Sequence, residues 1–342
     1  MPEVCRRHAV VPCQKAMALG LLLVFLMLSL PGQVAQAASV VNDDDKLLAG
    51  CIATQQLTVG GAGIRLSYTP AGYALTPQQI CEWTLRAAHA VTQYYGRFPV
   101  TALRIVLQPA AGSGVSGGTT YGASEFGTAL IVIQLGRDAD QSDLLRDWVM
   151  THEMVHLSVP AVPERSHWLE EGIATYVEPV ARVETGELEA AQIWADMRRG
   201  MQQGMPHSGD SGLDHTPTWG RTYWGGALFC LLADVEIRRR TDNRKGLQDA
   251  LRGVLAAGGN IEQDWPVQRI LDAGDAATGV PVLSELYQRL RAAPLPADTE
   301  LSELWKSLGV VGEGSHVSLT DAAPLAAVRL AITQRRSTAP PR

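Results

Sequence analysis

The chain of 342 residues has little of several features that typify particular protein classes. It has 29 basic residues against 35 acidic ones, and the net charge of −6 disfavours nucleic acid and anionic membrane surfaces as main partners. None of its five cysteines has the paired spacing of a structural zinc site. The apolar run at residues 16–30 is shorter than the roughly 20 residues needed to span a bilayer. The sequence therefore favours neither a nucleic-acid-binding protein nor an integral membrane protein.

The N-terminus has the pattern of a secretory signal. Basic residues precede the apolar run, Pro31-Gly32 follows it, and Ala35-Gln36-Ala37 matches an A-x-A cleavage site. We expect a periplasmic or secreted protein that is cleaved near Ala37 and has no stable membrane span afterwards. An uncleaved anchor is the alternative. That oxidising setting permits a disulfide, for which Cys51–Cys81 is the more plausible pair, and the sequence does not determine whether the two are bridged. Cys230 lies in an apolar helical run, which predicts a buried thiol.

The most informative segment is His152-Glu153-Met154-Val155-His156, an H-E-x-x-H pattern. Residues four apart lie on one face of an α-helix, so His152 and His156 can bind the same metal ion. A catalytic zinc site uses three protein ligands and leaves one position to water. We expect one Zn²⁺, Glu171 on a second helix as the third ligand, and Glu153 as the general base. The alternative is a surface helix that carries H-E-x-x-H by chance.

Both ligand-bearing segments are predicted to be helical. Asp140 or Ser142 can cap the first helix, which continues beyond His156 until prolines end it. The second is predicted between Trp168 and Pro179.

A second motif makes the resemblance to a known family explicit. Residues 168–178 read W-L-E-E-G-I-A-T-Y-V-E and resemble the W-L-N-E-G-F-A-T-Y-V-E segment of gluzincin peptidases, especially the aminopeptidase N family. The resemblance implies that Glu171 binds zinc, and it places Glu170 where the family has asparagine. The short spacing between His156 and Glu171 is similar to the broader peptidase MA-like set. Thr222-Tyr223-Trp224-Gly225-Gly226-Ala227 resembles the family's Y-x-x-G-[AS], which implies that Tyr223 hydrogen-bonds the developing oxyanion.

The resemblance also implies a fold class and a division of the chain. The expected fold is α+β, with a thermolysin-like zincin catalytic core made of an N-terminal mixed sheet with an edge strand, an active-site helix and a C-terminal helical lobe. The predicted parts are a signal peptide (1–37), an N-terminal α/β lobe (38–140), a zinc-binding helical lobe (141–258), a C-terminal helical extension (259–332) and a disordered tail (333–342).

Periodicity gives the individual elements. Strands are predicted in 57–68, 103–107 and 129–133 and a helix at 76–95, with further helices at 187–204, 221–240, 244–257, 281–293 and 299–308. The glycine-rich stretch 112–118 is predicted to be a loop without phosphate-binding spacing. Residues 119–135 occupy the place of the edge strand that pairs with extended substrate in the resembled clan. Thr119–Gly127 is either a substrate rim or an ordinary hairpin.

One departure from the family concerns specificity. The aminopeptidases have G-x-M-E-N before the zinc helix, and its glutamate holds the substrate's amino terminus. The corresponding residues 117–127 lack this motif, and only Glu125 offers a carboxylate. Aminopeptidase specificity therefore does not follow, and an endopeptidase remains open.

Other polar residues leave alternatives open. The segment Met205–Thr218 is predicted to be a solvated loop rather than a wall of the cleft, although it contains Asp210 and Asp214. His167 is either an ordinary residue before a helix or a support for a ligand, and Glu178 is a further residue that would orient a ligand.

The sequence thus predicts an exported zinc-dependent peptidase that uses a metal-activated water and acts on a peptide or protein substrate. Two alternatives are a non-catalytic zinc-binding module of the cell envelope and a zinc hydrolase of cell-wall peptides. The sequence does not determine the oligomeric state.

Overall fold

The computed structural model describes residues 53–295, 298–313 and 316–335. All of them belong to one compact unit, Gly50–Arg342. The predicted signal peptide and Cys51, with its proposed disulfide, lie outside the described residues. Within them, no helix combines the length and the apolar character that crossing a membrane requires.

The described part of the chain contains seven strands and twelve α-helices, besides short 3-10 and π-helical turns. The strands are β1 (Ala53–Val59), β2 (Ala62–Tyr68), β3 (Ala102–Ala110), β4 (Val115–Tyr121), β5 (Ala129–Gly136), β6 (Val310–Glu313) and β7 (His316–Leu319). The helices are α1 (Pro77–Tyr95), α2 (Ala123–Phe126), α3 (Gln141–Arg146), α4 (Val149–His156), α5 (His167–Glu184), α6 (Ala190–Met201), α7 (Gly226–Arg240), α8 (Leu247–Ala256), α9 (Val267–Thr278), α10 (Val282–Leu290), α11 (Asp298–Leu308) and α12 (Ala326–Ile332).

The main sheet is mixed and has the order β1-β2-β3-β5-β4. Strand β3 pairs in parallel with both β2 and β5. Strand β1 pairs antiparallel with β2, and β4 pairs antiparallel with β5. Strand β5 is apolar and largely buried, as a central strand should be, while β4 is rich in serine, glycine and threonine and half-buried. The mixed sheet is confirmed. Its two edge strands are β1 and β4, so the strand just before the predicted zinc helix, β5, is not an edge. Strand β4 includes much of the predicted loop 112–118.

Local signals explain the first helix well. Thr76 and Gln79 form a capping box at the start of α1, with Pro77 in the first turn. Gly96 ends the helix with a φ of 78°, a conformation that glycine adopts without strain. The predicted helix at 76–95 is confirmed. Its buried face carries Ile80 and Trp83 into the core, and the helix packs against α4 and α5, which contain the predicted metal ligands.

The predicted zinc helix is two helices rather than one. Asp140 and Asp143 form the expected capping box, but it starts the short α3. At Asp147 the backbone leaves the helical region, with a ψ of 137°. The Asp147 carboxylate then accepts hydrogen bonds from the Val149 and Met150 amides at 2.9 and 3.1 Å. A second helix start therefore follows directly, and α4 carries the H-E-x-x-H residues.

Helix α5 does not end at Pro179 as predicted but runs on to Glu184. Val177, Val180 and Val183 on either side of the proline are all buried. Tertiary packing of this face outweighs the backbone hydrogen bond that the proline removes.

The C-terminal part is less uniformly helical than predicted. The five predicted helices correspond to α6, α7, α8, α10 and α11, but α9, α12 and the β6–β7 hairpin were missed. Helix α9 does carry apolar residues at helical spacing, Val267, Ile270 and Leu271. The tail was expected to begin at 333, yet Thr333 is buried and accepts a hydrogen bond from the Trp194 indole at 3.4 Å.

Helices α5 and α7 approach each other through two glycines, and this contact can be tested. A Cβ added at Gly172 would lie 2.4 Å from the Gly226 Cα atom, with no flexible side chain to yield. Gly172→Ala should therefore lower the free energy of unfolding by about 1–3 kcal/mol, although alanine favours helices. Urea denaturation measures the change. Gly63→Ala is the control, because nothing lies within 4 Å of its added Cβ. Equal stability of the two variants would contradict the close contact.

Candidate metal centre

The structure brings the three predicted ligands together. His152 and His156 lie one turn apart on α4, and Glu171 faces them from α5. The Nε2 atoms of the two histidines are 3.3 Å apart. Glu171 Oε2 lies 3.2 Å from the His152 nitrogen and 3.6 Å from the His156 nitrogen. Each residue therefore points one ligand atom at a common point, as a metal site requires.

These distances fit zinc. Tetrahedral coordination with bonds of 2.0–2.1 Å places any two ligand atoms about 3.3 Å apart. The three measured separations of 3.2, 3.3 and 3.6 Å lie close to that value. Two imidazoles and one carboxylate are also a donor set that catalytic zinc sites use. His152, His156 and Glu171 would therefore hold Zn²⁺ and leave one position for water or substrate.

The charge of the cluster also favours a cation. Burial alone would lower the pKa of His156, but the negative charge of Glu171 outweighs it and raises that pKa to about 9. Burial would raise the pKa of Glu171, yet His156 and hydrogen bonds from the histidines hold it well below its usual range. The buried carboxylate therefore stays ionised and stabilises positive charge on His156. A metal ion bound at this point would displace that proton and take over the positive charge.

A further histidine supports the carboxylate ligand. His167 Nε2 lies 3.3 Å from Glu171 Oε1, the oxygen that does not face the other two ligands. Its Nδ1 lies 2.8 Å from Glu170 Oε2, and Glu170 accepts a second hydrogen bond from the Val162 amide at 3.0 Å. Hydrogen bonds to both glutamates raise the pKa of His167 to about 10. Of the two interpretations of His167, the structure favours ligand support, and Glu170 anchors it.

This arrangement predicts a loss of metal affinity. His167→Leu should weaken zinc binding by about 10- to 100-fold, since partners that orient a ligand typically contribute that much. Competition with a chelator of known affinity measures the change. His207→Leu is the control, because His207 is exposed and lies outside the cluster. An unchanged affinity in the His167 variant would show that Glu171 needs no such support.

The Glu153 side chain extends from α4 to the edge strand β4, and the residue is only 7% exposed. Thr120 on β4 hydrogen-bonds its carboxylate, with 2.7 Å between Oγ1 and Oε2. Gly118, two residues earlier, packs so closely that an added Cβ would lie 2.5 Å from Glu153 Cγ. Thr120 is not among the site residues predicted from the sequence. No local signal in the sequence links it to Glu153, which is 33 residues away.

Tyr223 lies beside the metal ligands, as the resemblance implied. Its ring is stacked near that of His152, with centroids 6.3 Å apart and planes 19° apart. It occupies a π-helical turn, Arg221–Gly225, which runs into α7. Such turns often occur at functional sites because they widen the helix and redirect side chains. The sequence predicted a regular helix from 221 and did not reveal this turn.

Two tryptophans flank these rings and remain accessible. Trp148 meets His152 edge to face at 5.3 Å and is 39% exposed, and Trp219 stacks on Tyr223 at 5.6 Å and is 45% exposed. Neither tryptophan is among the site residues predicted from the sequence.

The segment Met205–Thr218 is an irregular loop, as predicted, but it is only partly solvated. Asp210 forms a buried ion pair with Arg221 at 2.8 Å, which fixes the segment to the Tyr223 turn. Asp214 accepts hydrogen bonds from the Trp168 indole and the Tyr287 hydroxyl, both at 2.8 Å. Buried carboxylates require partners of this kind, and they hold the segment against the start of α5.

Two other glutamates were predicted to have roles beside the three ligands. Glu178 pairs with Arg182 at 2.8 Å within α5, so its role in orienting a ligand stays a prediction. Glu125 lies in α2, but its side chain is outside what the structure describes, and its role at a substrate amino terminus also stays a prediction. Cys230 is buried, as expected.

Comparison with known proteins identifies solved structures that resemble this one. No family model and no curated protein matches this sequence. An aminopeptidase N family protein from Idiomarina loihiensis is 13% identical with a TM-score of 0.57, and the match covers 76% of this chain and 49% of that one. An M1 zinc metallopeptidase from Deinococcus radiodurans is 16% identical with a TM-score of 0.46, covering 72% of this chain and 52% of that one.

The chain thus spans about half the length of these solved structures, and at such identities the likeness concerns the fold alone. The likeness to the Idiomarina protein confirms the predicted α+β class and the structural resemblance to the aminopeptidase N family. The described part of the chain has the fold found in about half of the Idiomarina aminopeptidase N family protein.

Proposed function

We propose that this protein is an exported zinc-dependent peptidase that hydrolyses peptide bonds. The observation that carries the proposal is the spacing of the three ligand atoms, 3.2, 3.3 and 3.6 Å, with Glu153 beside them. The fold shared with a protein of the aminopeptidase N family supports it. Export rests on the sequence of residues 1–37 alone.

Each residue of the site has a separate role in the proposed reaction. When bound, zinc supplies a Lewis acid and lowers the pKa of its water. Glu153 accepts the proton of the attacking water and later delivers it to the leaving nitrogen of the peptide. The Tyr223 hydroxyl donates a hydrogen bond to the oxyanion that forms at the substrate carbonyl. His167 and Glu170 keep the Glu171 carboxylate oriented throughout.

Strand β4 is suited to bind the peptide backbone. It is the last strand of its sheet on the side of Glu153, so its outer edge can pair with an extended chain. Its seven residues, V-S-G-G-T-T-Y, contain no carboxylate that could neutralise a free amino terminus. We therefore propose cleavage at internal peptide bonds rather than removal of the first residue.

A mixed peptide library separates these possibilities. The purified protein is incubated with zinc and the library, and cut sites are mapped by mass spectrometry. Glu153→Gln serves as the control for contaminating peptidases. Internal cuts made by the wild type alone would support the proposal, and trimming confined to amino termini would restore an aminopeptidase. Absence of cuts with zinc bound would favour a hydrolase of cell-wall peptides, tested next with peptidoglycan fragments, or a non-catalytic envelope module.

A further inference from the structure

The edge strand contacts Glu153 through two successive residues of the same face. Gly118 and Thr120 are two apart in β4, and side chains at that spacing point to one side of a sheet. Both meet Glu153: Thr120 by hydrogen bonding and Gly118 by close packing. A β-bulge between Val115 and Gly117 precedes them and shifts the register of the strand. Bulges near active sites commonly redirect the residues that follow.

The Thr120 hydroxyl is placed to hold one oxygen of the carboxylate. It lies 2.7 Å from Glu153 Oε2 and 2.9 Å from the Glu153 backbone carbonyl. A hydroxyl has one hydrogen, so it can donate to only one of these acceptors at a time. The ionised carboxylate is the stronger acceptor, because charge-assisted hydrogen bonds are roughly twice as strong as neutral ones.

Gly118 restricts the same side chain by packing closely against it. An added Cβ there would lie 2.5 Å from Glu153 Cγ and 2.9 Å from Oε1. The carboxylate is thus confined by the backbone of Gly118 and the hydroxyl of Thr120. Since Oε2 is engaged by Thr120, Oε1 is left to exchange the proton with water.

We propose that Thr120 is a positioning residue for the general base, fixing Glu153 so that Oε1 faces the attacking water. The proposal rests on the proposed peptidase function. In the family that this chain resembles, a glutamate of the same strand holds the substrate's amino terminus. Here the Thr120 side chain of that strand positions the general base, Glu153, instead. This agrees with a substrate that is bound through its backbone.

Steady-state kinetics of Thr120→Val and Thr120→Ser on one internally cleaved peptide test this proposal. Valine keeps the β-branched shape but removes the hydroxyl, and we expect kcat to fall by about 10- to 100-fold with little change in KM. Serine keeps the hydroxyl and should retain most of the wild-type kcat. Zinc affinity should be the same in all three proteins. Thr92→Val is the matched control, because the Thr92 hydroxyl bonds the Ala88 carbonyl within α1.

Each outcome has a distinct meaning. A wild-type kcat in Thr120→Val would overturn the proposal while leaving the peptidase function intact. An equal loss in the serine and valine variants would assign the effect to shape rather than to the hydroxyl and would also overturn it. Loss of zinc from Thr120→Val would show a structural defect instead of a positioning role. A wild-type protein that binds zinc but cleaves no peptide would overturn the proposed function and this inference with it.

Discussion

Replacing Glu153 by glutamine should reduce kcat by on the order of 10²–10⁴-fold, the range that general acid–base groups contribute. Glutamine has nearly the same shape but cannot accept the proton of the attacking water at neutral pH. The side chain is buried between α4 and β4, and its oxygen accepts a hydrogen bond from Thr120 that an amide oxygen can also accept. The fold and the three zinc ligands should therefore be unaffected. Turnover of a peptide substrate and zinc content are the two measurements.

Glu262→Gln is the matched control, since Glu262 is exposed and lies outside the site. It should match the wild type in both measurements. A Glu153→Gln variant that keeps zinc and retains more than about a tenth of the wild-type kcat would contradict the general-base assignment.

The second large effect is expected at Tyr223. Tyr223→Phe keeps the ring that stacks beside His152 and removes only the hydroxyl. Loss of one oxyanion donor typically costs on the order of 10²–10³ in kcat, because the bond strengthens as charge develops in the transition state. KM should change little, since the ground-state carbonyl requires that donor less. Kinetics on the same peptide, with zinc content measured in parallel, provide the test.

Tyr94→Phe controls for the loss of a buried tyrosine hydroxyl. Tyr94 lies in α1, and its hydroxyl has no hydrogen-bond partner among the described residues. This variant should have the wild-type kcat. If Tyr223→Phe did as well, Tyr223 would be only a packing neighbour of His152.

The ligand set could be predicted because it depends on local geometry. Two histidines four residues apart share a helix face whatever the surrounding fold, and the W-L-E-E-G segment identified Glu171 by resemblance. The same holds for α1, whose cap residues and final glycine are adjacent to the helix they delimit. The structure brings all three ligand atoms within 4.8 Å of one another.

The roles of Thr120 and Asp214 could not be predicted because their partners are distant in sequence. Thr120 is 33 residues from Glu153, and no periodicity indicates that β4 would turn its Gly118–Thr120 face to α4. Asp214 meets Trp168 and Tyr287 across 46 and 73 residues. A polar segment of such composition is typical of a loop, and only the fold shows that its carboxylates are buried and paired.

Asp147 illustrates a different limit. The apolar pattern on either side of it favours one continuous helix, and aspartate is tolerated on a helix surface. Its carboxylate instead accepts hydrogen bonds from the backbone amides of Val149 and Met150 and from the Trp83 indole at 2.9 Å. Side-chain competition for backbone amides of this kind breaks a helix in a way that periodicity does not record.

The most direct test of the metal centre is an anomalous difference map from crystals grown with zinc, measured at the zinc absorption edge. We expect one strong peak per chain, about 2.0–2.2 Å from His152 Nε2, His156 Nε2 and Glu171 Oε2. A single zinc at that point would establish the site from which the proposed chemistry follows. A peak held by other residues, or none at these three in a zinc-saturated crystal, would contradict the account.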